Sequence, residues 1–228
     1  MVEFDVEKVN LPLFVTATST LGVSVAGALG TGSAAATGVG AIAPAAFAMS
    51  VVPEASTLML AVLPAFKGGK KVVQDVKTAA DTAKAIHGTV KQVQASGFDP
   101  FGFFKAKGER ALAVIQEQTF KRILKTVKPT KNYFPRKKWD QLLERFPGPE
   151  KKAINALPKF MQDTLYNLVK YLINVTGSVV SQGGEIMELF TKLLSTVNPA
   201  QLIEKRRELV KASREYSLKK SFFGSLFG

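Results

Sequence analysis

The sequence predicts an all-α protein, a helical bundle of amphipathic helices preceded by an apolar, Gly/Ala-rich helical hairpin. Three observations point there. Beyond residue 66, apolar residues recur at steps of three and four, the spacing that gathers them on one face of a helix. Proline and glycine interrupt that pattern at intervals suited to helices of ordinary length. No strand-like run stands out beyond the apolar head.

The head comes first. From residue 9 to residue 53 there is no charged side chain, and after Glu54 the chain stays uncharged to Phe66. Lys67, Lys70 and Lys71 then end the run abruptly. The division falls there, with residues 1–66 as an apolar, membrane-interacting segment and residues 67–228 as a basic helical domain. Ser24, Ala28, Gly32, Ala36 and Gly40 lie four apart and form one small-residue stripe if the segment is helical. Such a stripe lets helices approach closely in lipid, where van der Waals packing holds the pair. Glycine is a poor helix former in water. In a bilayer it is tolerated, because an unpaired backbone group there is costly enough to enforce helix.

The first uncharged run is about twice the roughly 20 residues that cross a bilayer, so a bend near Thr31 or Pro44 would make a hairpin. The lysines after Phe66 would anchor its exit among anionic headgroups. Replacing Gly32 with leucine is then expected to abolish oligomers in detergent while vesicle binding stays nearly intact. Unchanged oligomers in a sedimentation or cross-linking assay would remove the stripe from consideration. Gly30 to Ala35 also fits G-x-G-x-x-A, with Glu54 near the spacing of a ribose-binding acid. A dinucleotide fold needs alternating strands and helices afterwards, and a helical series follows instead.

The body divides at its breakers. Val72, Val76, Ala79, Ala83, Ile86, Val90 and Val93 form an a/d seam over residues 70–94. Gly97 and Pro100 stop it. A second helix is expected over residues 109–127, with Leu112, Ile115, Phe120, Ile123 and Val127 on one face, and Pro129 ends it. A short helix over residues 136–146 carries Trp139, Leu142 and Leu143 before a turn at Pro147-Gly148-Pro149. Residues 150–175 follow, with Pro158 marking a kink or a late start. Residues 185–197 repeat the theme, and Asn198-Pro199 suits the start of a last helix reaching about Ser217.

Charge suggests the partner. The net charge is +13, yet residues 1–66 hold one base, Lys8, against Glu3, Asp5, Glu7 and Glu54, a balance of −3 that leaves +16 to the rest. An excess of this size points to an anionic partner, either membrane lipid or non-specifically bound nucleic acid. Lys121, Arg122, Lys125, Lys128, Lys131, Arg136, Lys137 and Lys138 are interleaved with Phe120, Tyr133, Phe134 and Trp139. Lys205, Arg206, Arg207 and Lys211 form a second cluster ahead of Phe222, Phe223 and Phe227. Bases would neutralise phosphates, while Trp139 and the terminal phenylalanines would sit at a lipid interface.

Catalysis finds little to stand on. There is no cysteine, and His87 is the single histidine. Glu185/Glu188 and Glu204/Glu208 read as pairs on exposed helix faces. The expectation is a non-enzyme without cofactor. The N-terminus opens with acids, unlike a secretory signal. In layout, an apolar small-residue head before a basic helical body resembles the minor internal capsid proteins of some non-enveloped viruses, such as the polyomaviruses. It is also similar to basic helical viral matrix proteins. The expected function is binding to anionic lipid through the basic body, insertion of the N-terminal hairpin and self-association through the small-residue stripe, on the cytoplasmic side of a membrane or in a virion interior. The alternative is a soluble basic helical protein that packages nucleic acid or forms a matrix, with the N-terminal tract in its core.

Overall fold

The computed structural model describes residues 2–30, 51–66 and 102–197, with Leu202, Arg206, Val210 and Lys211; side chains of residues 28–30 and 102–112 are excepted. The seam over residues 70–94, Gly32, Ala36, Gly40, Lys67, Lys70, Lys71, His87, Lys205, Arg207, Phe222, Phe223 and Phe227 lie outside the described residues. What is described is mostly helical, as expected.

The chain enters as an extended segment with a 3-10 turn at Val6–Lys8, capped by Asp5, whose carboxylate accepts from the Glu7 N–H at 3.1 Å. Asn10 caps the first helix, its side-chain oxygen accepting from the Leu13 N–H. That helix, α1 (Leu11–Gly30), is uncharged and is buried without interruption from Phe14 to Gly22. A helix apolar on every side must be enclosed on every side. The second, α2 (Val52–Val62), starts with Pro53 in its first turn and passes into a 3-10 turn at Leu63–Ala65. It is nearly as enclosed as α1, and even Glu54 is only 1% exposed.

The body supplies the envelope. Helix α3 (Gly102–Thr126) starts seven residues earlier than its apolar pattern suggests, two residues after Pro100. Its inward face is Gln116, Thr119, Phe120, Ile123 and Val127. Ile115, expected on that face, is 40% exposed beside Val114. Helix α4 (Arg136–Glu144) starts behind Pro135 and turns Trp139 and Leu142 inward, close to the expected bounds. Pro147 caps α5 (Gly148–Ala156), so the supposed turn residues Gly148 and Pro149 are its first helical positions.

Leu157 and Pro158 are extended, which separates α5 from α6 (Lys159–Gln182) instead of kinking one helix. α6 outruns its expected end by seven residues and is buried from Leu172 to Val179. Gly183 and Gly184, with φ of 65° and 60°, turn the chain into α7 (Gly184–Ser195). That backbone region is open to glycine at little cost.

Packing orders these helices into an inner trio and an outer set. α1, α2 and α6 touch one another, α7 packs on α2, α3 and α6, and α5 lies against α1. One hydrophobic core includes Phe14, Leu21, Leu58 and Phe66 from the head with Phe120, Trp139, Ile173 and Phe190 from the body. The two sides of the residue 66 boundary thus differ in charge while sharing a core. Among the described residues, strand pairing is limited to a single antiparallel bridge between Phe4 and Phe66.

Candidate functional site

The basic stretch 121–138 wraps one side of this core. Phe120, Ile123 and Val127 anchor the end of α3, which leaves Arg122, Lys125 and Lys128 on the opposite, exposed face. Between the helices, the Tyr133 N–H donates to the Asn174 Oδ1 at 2.9 Å, and the Tyr133 hydroxyl meets the Ser181 Oγ at 3.0 Å. The Tyr166 hydroxyl donates to the Phe134 carbonyl at 3.3 Å. These bonds pin the linker to α6 and turn its rings inward.

All four aromatics interleaved with the bases are therefore buried: Phe120, Tyr133, Phe134 and Trp139. Trp139 corrects an expectation. At 1% exposure, with its ring 6.0 Å from that of Tyr166, it is a core residue and does not reach an interface in this fold. Its spacing from Leu142 already carried that signal, since three residues place both on one helix face.

The bases divide into three kinds. Lys121 pairs with Glu117, and Arg206 with Glu150, whose Oε2 is buried without a partner. Arg136 bridges Asp163 at 3.0 Å and Asp140 at 3.7 Å, and lies 4.7 Å from the Tyr166 ring centroid. Burial raises the Tyr166 pKa, and the Arg136 charge pulls the other way. Tyr171 is likewise raised by burial.

A second kind binds neutral carbonyls of the chain's own N-terminus. Lys131 donates to the Val2 carbonyl at 3.1 Å and Lys138 to the Phe4 carbonyl at 2.6 Å. Arg145, which the sequence did not single out, donates to the Val6 carbonyl at 2.9 Å and faces Glu7 at 3.5 Å. The third kind is Arg122, Lys125, Lys128 and Lys137, with Lys211 further along the chain. These are exposed, and no acid among the described residues pairs with them.

Of the small-residue stripe, Ser24 is described, half-buried and donating to the Thr20 carbonyl at 3.1 Å; the Ala28 side chain is not. Thr18, Ser19 and Ser56 hold buried hydroxyls without a hydrogen-bond partner. Among the described residues no helix is long and apolar enough to cross a membrane. No group of three or more His, Asp or Glu among them could hold a metal ion. No family model, no curated protein and no solved structure matches the chain.

Proposed function

We propose that this chain is a non-enzymatic structural protein that docks on anionic membranes through its basic helical body and inserts its apolar N-terminal hairpin. Self-association follows insertion, in the setting of a viral matrix or minor capsid protein at a membrane or inside a virion. The observation that carries this reading is the pairing of an enclosed, uncharged helix α1 with an outer face bearing Arg122, Lys125, Lys128 and Lys137. The basic body provides adhesion, and the bundle keeps the apolar helices from water until a second apolar medium is at hand. Three unpartnered hydroxyls in α1 and α2, each costing about 1–3 kcal/mol, support a packed state held below its best possible stability.

Liposome flotation tests the adhesive face. A basic residue near an anionic surface contributes about 1 kcal/mol. Changing Arg122, Lys125, Lys128 and Lys137 together to glutamine should therefore reduce binding to phosphatidylglycerol vesicles by about two to three orders of magnitude at low salt. Binding unchanged in that variant would refute the assignment of this face.

A second reading, a soluble nucleic-acid-packaging or matrix protein, draws on the core position of the described tract. Salt separates the two. Binding to nucleic acid falls linearly on a log–log salt plot, whereas an inserted apolar hairpin stays bound at high salt.

A further inference from the structure

Residues 2–10, ahead of α1, are gripped from two sides. On one side, the Asp5 N–H donates to the Ala65 carbonyl and the Asn10 N–H to the Ala61 carbonyl, both at 2.9 Å. Phe4 pairs with Phe66, their rings 5.1 Å apart and edge-to-face. This side closes the hairpin's open end, because Asn10 caps α1 while Ala61 and Ala65 lie at the end of α2. On the other side stand Lys131, Lys138 and Arg145, whose donors take the carbonyls of Val2, Phe4 and Val6. Val2 and Phe4 are extended, so their carbonyls share an edge, and Val6, at the start of the 3-10 turn, turns its carbonyl to the third cation.

We propose that residues 2–9 are a latch that holds the α1–α2 hairpin in the bundle, and that an anionic lipid surface opens it by drawing away Lys131, Lys138 and Arg145. This rests on the membrane reading above. A carbonyl is a neutral acceptor, and the acid that Arg145 also faces, Glu7 at 3.5 Å, is an exposed partner worth at most about 1 kcal/mol. A headgroup phosphate is a charged acceptor, and hydrogen bonds to it are roughly twice as strong. The latch itself carries Glu3, Asp5 and Glu7 against Lys8, so the surface that attracts the three cations repels the segment they hold. Losing the cations also removes the Lys138 ammonium from the Phe4 ring, 5.4 Å away. What remains is the pair of backbone bonds and the buried side chains of Phe4, Val6 and Val9.

Amide hydrogen exchange on the full chain reads latch and hairpin separately. The Asp5 and Asn10 amides report the latch, and those of α1 report the hairpin. With phosphatidylglycerol vesicles, Asp5 and Asn10 should exchange at least about tenfold faster, the equivalent of losing one charge-assisted hydrogen bond. Phosphatidylcholine vesicles should leave them unchanged. If Asp5 and Asn10 open while α1 stays protected, the latch stands and the insertion reading fails. If α1 leaves the bundle while Asp5 and Asn10 stay protected, insertion stands and the latch is overturned. Unchanged exchange at both, on vesicles to which the protein is bound, also overturns it.

A variant with Lys131, Lys138 and Arg145 changed to methionine should open Asp5 and Asn10 without any vesicle, with α6 still protected. Protection of the two amides in that variant counts against the cations' role. If the variant unfolds, the vesicle comparison on the unaltered chain still decides.

Discussion

Trp139→Ala is expected to lower the unfolding free energy by about 3–5 kcal/mol, the range for removing a large aromatic from a packed core. The ring sits on the inward face of α4 with Leu142, next to Tyr166 of α6. The space left could not close without moving α4, and α4 begins at a linker pinned to Asn174 and Ser181 through Tyr133. Urea unfolding measures the loss. Because Trp139 is the single tryptophan, its emission adds a check on the unaltered chain. A buried indole emits at short wavelength in water and shifts little when the protein binds vesicles. A large blue shift on binding, with stability unaffected by the substitution, would restore Trp139 to the interface.

The second large effect is expected at Gly177. A Cβ there would lie 2.6 Å from the Tyr133 Cδ2 and 2.7 Å from the Phe66 Cε1. Both rings are buried, and they meet edge-to-face at 5.5 Å, so neither can swing into open space. Gly177→Ala should cost about 1–3 kcal/mol, as overpacking of a tight core does. The clash lies where the 3-10 turn after α2 meets the linker between α3 and α4. Shortening the ring in a Phe66→Leu background should recover part of the loss, and the non-additivity in a double-mutant cycle measures how much. Strict additivity would mean that the added methyl is accommodated elsewhere.

The outer helices were more legible in the sequence than the inner ones. α4 shows itself through Pro135 and the Trp139, Leu142, Leu143 face, because a helix with one wet side keeps a period. The stretch 172–179 of α6 has no wet side to set a period, since it is enclosed all round. Thr176 and Ser178 there, and Ser181 beyond them, bond the carbonyl four residues back, which accommodates hydroxyls that would otherwise suggest a break. α1 lies in an apolar tract whose composition fits a helix but does not say whether protein or lipid surrounds it.

The basic clusters were legible as charge but not as geometry. Lys131 and Lys138 look no different in sequence from Lys125 and Lys128, because a backbone carbonyl is an acceptor that any residue type supplies. Arg145 continues the seven-residue spacing of Lys131 and Lys138, a regularity that gains meaning only once the carbonyls of Val2, Phe4 and Val6 are seen beside it.

The hydroxyls of α1 carry one more consequence. Thr16 donates to the Pro12 carbonyl, Thr20 to those of Thr16 and Ala17, and Ser24 to that of Thr20. Thr18 and Ser19 have no partner at all. No described side chain of α1 thus hydrogen-bonds to another helix, and those that bond do so to their own backbone. The helix is apolar with a few hydroxyls, and those that find a partner find it in the helix itself. Among the described residues, its side chains are therefore tied to the other helices by packing and not by hydrogen bonds.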